Sequence, residues 1–170
     1  TFMKILGIDP GLIRTGYGVI DADDPDRLKL VEAGLIKTSA EDGIAKRVRD
    51  IYDNLTDILK EHRPKVLVLE KLYAHYKHPA TSILMGHARG VVCLACGVNN
   101  VELISYPATR IKKAVTGNGR ASKEQIQLMV RSILDLKSAP DAFDVSDALA
   151  VAISHARIEN LERQKTMGGA

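Results

Sequence analysis

A chain of 170 residues, 45% hydrophobic and 26% charged, has the make-up of one globular domain with a sizeable core. Its formal net charge of +3, from 24 basic and 21 acidic residues, excludes a polycationic coat, so any affinity for a polyanion must lie in local patterning. No apolar run is read as a membrane span and no charged-then-apolar leader opens the sequence, so the expectation is a cytoplasmic protein with no membrane partner.

Thr1 and Phe2, ahead of Met3, read as a cloning remnant, and a single domain is expected over 3–162 with a disordered tail over 163–170. Residues 3–9, 13–21 and 28–38 read as three strands of a meander, the polar run "DADDPD" forming one turn and Gly11, Gly16 and Gly18 crowding the first turn and second strand. The first strand ends on Asp9, followed at once by Pro10 and Gly11. A carboxylate there is costly unless something pairs with it or neutralises it. From Asp42 to His62 the apolar residues Ile44, Val48, Ile51, Leu55, Ile58 and Leu59 follow a helical stripe that Pro64 stops. "KVLVLE", residues 65–70, has the continuous apolar character of a strand buried on both faces, and it ends on Glu70.

The segment "EKLYAHYKHPATS" that follows is too polar for a strand and reads as a functional loop carrying Tyr73, His75 and His78. His75 and His78 have a spacing that suits metal, but no third soft ligand is evident, and they read as loop residues near phosphate. A helix is expected over 81–97, a short strand over 101–106, and helices near 107–115, 122–136 and 141–162, with Ser122 and Gln125 spaced as a capping box. Cys93 and Cys96, the only cysteines, lie in an apolar helical window and read as inert buried thiols. Gly86 and Gly90, one helical turn apart, offer a small face to the sheet or to a second subunit. The whole is a mixed α/β domain whose central sheet is flanked by helices.

Asp9 and Glu70 each end an apolar strand, where sites form in open α/β sheets. "DAFDVSDALAVAISHARIE" adds Asp144 and Asp147, which their i, i+3 spacing puts on one helical face. Taken singly, each acid reads more readily as a helix cap or part of a solvated turn than as a ligand. Gathered together, the four repel one another unless protons or hard cations lie between them, and an all-oxygen ligand set selects Mg²⁺ or Mn²⁺. A pair of such ions can activate a water and stabilise a leaving oxygen with no protein nucleophile. The absence of G-x-x-x-x-G-K-[ST] and G-x-S-x-G motifs agrees. Between Arg110 and Lys137 stand seven basic residues against two acidic ones, among them Arg110, Lys112, Arg120 and Lys123, a segment suited to phosphates or simply a solvated basic face.

"GIDPGLIRTGYGVI", "VLVLEKLY", "GHARGVV", "RIKKAVTGNGRASKEQIQLMVR" and "DVSDALAVAISH" together resemble, in order and spacing, the RuvC family of bacterial Holliday-junction resolvases. The resemblance covers Met3 to about His155. It implies an RNase H-like fold with a mixed five-stranded sheet and a homodimer. It also implies Mg²⁺-dependent paired nicking of four-way junction DNA in recombination and repair, with RuvA and RuvB as partners. Two Mg²⁺ ions per site, or Mn²⁺ in their place, would be held by Asp9, Glu70, Asp144 and Asp147, with Asp9, on the innermost strand, bridging both. Some members carry histidine at the position of Asp144. The resemblance further implies that Lys112 and Lys123 hold the DNA backbone and that Tyr73 stacks on a base at the junction centre. Two rivals follow from the same residues. One is a catalytically silent junction binder, against which the four acids speak. The other is an actin-like or sugar-kinase-type nucleotide-binding fragment, for whose second lobe the length leaves no room.

Overall fold

The computed structural model describes residues 3–72 and 79–167. Three antiparallel strands come first: β1 (Lys4–Asp9), β2 (Arg14–Asp21) and β3 (Lys29–Lys37). After helix α1 (Ile44–His62), strand β4 (Val66–Glu70) pairs parallel to β1. Helix α2 (Pro79–Asn99) leads to β5 (Glu102–Tyr106), parallel to β4, and three helices follow: α3 (Ala108–Thr116), α4 (Lys123–Ile133) and α5 (Phe143–Met167). The sheet order is β3-β2-β1-β4-β5, so β1 lies at the centre, flanked by β2 on one side and β4 on the other.

Side-chain alternation along the strands gives the sheet two buried faces. Leu6, Ile8, Val19, Leu67 and Leu69 pack with Ile51, Leu55 and Leu59 of α1 and Ala88, Val92 and Ala95 of α2. Ile5, Ile20, Val66 and Val68 pack with α5, which is backed in turn by Ile111 and Val115 of α3 and Ile126 and Val130 of α4. Helix α5 therefore runs through the interior, and eleven of its residues, from Ser146 to Ile158, are buried. It can press onto the sheet because the strands beneath carry glycines. A Cβ on Gly7 would stand 2.0 Å from the Ala148 carbonyl oxygen, one on Gly16 would stand 2.0 Å from that of Asp144, and one on Gly18 would meet Leu149 at 2.4 Å.

Helix ends follow the local chemistry. Ser122 and Gln125 form the expected capping box, the Ser122 hydroxyl accepting from the Gln125 N–H at 3.2 Å. Gly117 caps α3 in the left-handed conformation at φ 81°. Three sequence expectations need correction. Cys93 is exposed, because only the Cys96 side of α2 faces the core. Helix α5 continues to Met167 and takes in most of the supposed tail, as exposed polar residues such as Arg163 and Gln164 extend it beyond the core. Helix α2 is long and apolar enough, by length and composition, to cross a membrane. It packs one face on α1 and carries Arg89 at mid-length, so it serves here as a domain helix with an apolar outer face.

Candidate active site

Asp9 closes β1, and Pro10, which has no N–H to offer the sheet, ends the pairing directly after it. The turn beyond is closed by Thr15, whose buried hydroxyl donates to the Gly11 carbonyl at 2.7 Å and accepts from the Gly11 N–H at 3.2 Å. Glu70 closes β4 at the same end of the sheet, and alternation places both carboxylates on the face that α5 covers. Asp9 pairs in register with Gly16, where the missing side chain admits the backbone of Asp144. Asp147 lies one turn further along α5. The four acids separated by most of the sequence thus converge on one place.

Their electrostatics record the convergence. Asp9 is pushed up to about 7, first by burial and then by the charges of Asp147, Asp144 and Glu70. Glu70 and Asp147 are also raised above the ordinary carboxylate range, each mainly by burial. Cations surround the group. The Lys123 ammonium stands 3.5 Å from Asp147, and Arg14 grips Asp144 Oδ2 through both Nε, at 2.9 Å, and Nη2. A cavity of about 340 Å³ is lined by Asp9, Glu70, Asp147, Arg89, Lys112 and Lys123. A larger groove, of about 970 Å³, lies between α3, α4 and the outer half of α5 and contains none of the four acids.

A family model described as "Crossover junction endodeoxyribonuclease RuvC" matches residues 5–155. The relative of that name in Rhodopirellula baltica is 50% identical over 149 residues, covering 88% of this chain and 83% of its own. That of Bordetella avium is 43% identical and covers 95% and 88%. The chain belongs to the RuvC family. Among solved structures it resembles Thermus thermophilus RuvC in complex with a Holliday junction substrate, with a TM-score of 0.88, 32% identity, and coverage of 94% of this chain and 96% of that one. The yeast mitochondrial Holliday junction resolvase, at 12% identity and a TM-score of 0.70, shares the fold. The fold is therefore RNase H-like, and membership of the RuvC family makes the protein a divalent-metal-dependent crossover junction endodeoxyribonuclease of recombination and repair. The nucleotide-binding rival falls away with the same match.

Lys112 and Lys123 reach the acid-lined cavity from α3 and from the first residue of α4. Arg110 does not: it pairs with Glu162 at 2.9 Å, lies 5.0 Å above the Tyr106 ring and faces the larger groove. Arg120 is exposed on the turn between α3 and α4. Tyr73, His75 and His78 lie outside the described residues. Sequence reasoning missed two cations. Arg14 sits in the quoted first motif and Arg89 in "GHARGVV", where only the glycines drew notice. Arg89 Nη1 donates to the Glu70 backbone carbonyl at 2.6 Å and so ties α2 to the end of β4. Tyr106, paired with Glu70 in the sheet, adds a second tie through its hydroxyl, 2.9 Å from Nδ1 of His155 on α5.

Proposed function

We propose that the protein resolves four-way DNA junctions by paired symmetric nicks, using Asp9, Glu70, Asp144 and Asp147 to hold two Mg²⁺ ions. The observation that carries this reading is the gathering of Asp147, Asp144 and Glu70 around the buried Asp9, which burial first and then their charges push up to about 7. Asp9, Glu70 and Asp147, all raised, gather with Asp144 into a cluster that fits divalent cations, and its all-oxygen chemistry fits Mg²⁺ or Mn²⁺ rather than a thiolate-preferring metal. When bound, such ions supply an activated water and charge stabilisation for in-line displacement at a phosphodiester.

The chain's own residues do the rest. Asp9, on the central strand and facing the charges of all three other acids, would hold the ions together with Glu70, Asp144 and Asp147. Arg14 orients Asp144 through one oxygen and leaves the other free to ligate. Lys112 and Lys123, at the cavity wall, bind the phosphates that flank the bond to be cut. Tyr73, one residue beyond Leu72, is assigned the base-stacking role, and Arg110 and Arg120 are assigned backbone contacts further out on the DNA.

Two nicks need two sites, so the working unit is a homodimer. The outer face of α2 supports this: Ile83, Leu94 and Val98 are 63%, 57% and 56% exposed, and a Cβ at Gly86, Gly90 or Gly97 would touch nothing within 4 Å. Among the described residues nothing packs on Gly86 and Gly90, which supports the second of the two readings of that face. The work is cytoplasmic, beside RuvA and RuvB. The deciding experiment is incubation of end-labelled four-way junctions with the protein in Mg²⁺. Symmetric cuts in two strands of like polarity are expected, and binding without cuts would leave only the silent binder.

A further inference from the structure

On the sheet face opposite the four acids, three ligand groups converge where α1 ends against the edge strand β3. His62, the last residue of α1, is 8% exposed, and its Nε2 lies 2.8 Å from Glu32 Oε2. Glu61, beside it in sequence, is exposed and brings a carboxylate oxygen to the same place, so that the three ligand atoms lie within 4.8 Å of one another. Tyr17 on β2 donates to the other oxygen of Glu32 at 2.6 Å, fixing that carboxylate's orientation.

We propose that Glu32, Glu61 and His62 form a second divalent-metal site, of zinc type, that clips the end of α1 to the edge of the sheet. The donor set carries this assignment. One imidazole with two carboxylates suits Zn²⁺, which takes nitrogen and oxygen ligands at about 2.0–2.2 Å, and is poorly matched to Mg²⁺, which prefers oxygen and retained water. Neutral His62 with two carboxylates carries a charge of about −2, which a divalent ion offsets. The C-terminal end of α1 adds its partial negative charge, and Arg63, in the left-handed conformation at φ 48°, fixes how that end leaves the helix. The Tyr17 hydrogen bond supplies the orienting contact that metal ligands generally carry. A proton on His62 Nε2 leaves to solvent, or moves to Nδ1, when the metal takes its place.

Glu61 gives a clean test, because it is exposed and its substitution leaves the Tyr17–Glu32–His62 bonds in place. Chelator-stripped full-length protein carrying Asp9→Asn, which disables the nuclease site, is titrated with Zn²⁺ by calorimetry and melted with and without it. One equivalent of Zn²⁺ is expected, with a rise in Tm of roughly 5–10 °C at a hundredfold excess over Kd. Adding Glu61→Gln should lower that affinity at least tenfold and abolish the rise, leaving the zinc-free Tm unchanged. Equal binding and equal Tm shifts with and without Glu61→Gln, or no Zn²⁺ uptake at all, overturn the proposal and leave a hydrogen-bonded latch. Neither result bears on the nuclease reading, whose residues lie on the other face of the sheet.

Discussion

Asp9 sets the residue-scale expectations, since its carboxyl is buried among like charges. Asp9→Asn keeps the shape and removes the charge, so nicking in Mg²⁺ should fall by orders of magnitude while junction affinity in Ca²⁺ or EDTA holds or tightens. Its metal-free Tm at pH 7.5 should not drop, which separates a metal ligand from a structural carboxylate. The same group sets a pH dependence. An acid whose native pKa lies above its unfolded one stabilises the fold below the unfolded value, and that help is lost as pH rises through the native value. In EDTA, Tm should therefore fall as pH climbs from about 4 to about 7, with Glu70 and Asp147 acting in the same direction. The decline should be shallower in Asp9→Asn. Lys112→Ala and Lys123→Ala should weaken junction binding at any sequence and reduce the salt slope by about 1 each. A salt series in which both variants bind as the parent does would remove them from the DNA path. The acids were legible in the sequence because each ends a strand or shares a helical turn. Arg14 and Arg89 were not, because a long cation's partner is set by packing between distant segments.

At the scale of elements, the docking of α5 on β1 and β2 decides whether a site exists. Gly16 is, with Gly7, the tightest part of that seat, and any side chain at Gly16 meets the backbone of Asp144 itself. Gly16→Ala should cost on the order of 1–3 kcal/mol, read as a lower denaturation midpoint, and should nearly abolish nicking by displacing Asp144. Gly43→Ala, with open space around its Cβ and at the start of α1, across the sheet from the acids, is the control: it should leave nicking unchanged, its only cost being the poorer N-cap of α1. Every strand and helix could be read from the sequence to within a few residues, because apolar periodicity and the turn signals agreed. The purpose of the glycines could not. Gly11, Gly16 and Gly18 crowd the first turn and second strand, whereas the space left by Gly7, Gly16 and Gly18 belongs to Ala148, Asp144 and Leu149, on a helix near the other end of the chain. A stripped strand face combined with the small Ala148 and Ala152 one helical turn apart was the signal available.

For the whole molecule, the apolar outer face of α2 predicts that Leu94→Glu yields monomers by light scattering and replaces paired cuts with sparse single nicks. Because Arg89 of the same helix holds the Glu70 carbonyl, the monomer should also nick more slowly per site. A dimer retained in Leu94→Glu places the subunit contact elsewhere. The proposed subunit contact was only half legible: Gly86 and Gly90 announced a small face, and their open surroundings among the described residues count against the protein's own sheet as its cover. The union of residues 9 and 70 with 144 and 147 also has a bearing on how such an enzyme is made. While the chain is being synthesised, the first three strands and α1 emerge with Asp9 in place and nothing to complete it. A polypeptide released early, before α5, lacks two of the four acids as well as the helix that fills one face of the sheet. On the proposed assignment, a fragment ending before α5 carries neither Asp144 nor Asp147 and should cut no junction DNA in Mg²⁺, so only nearly finished chains would bring this chemistry to the chromosome.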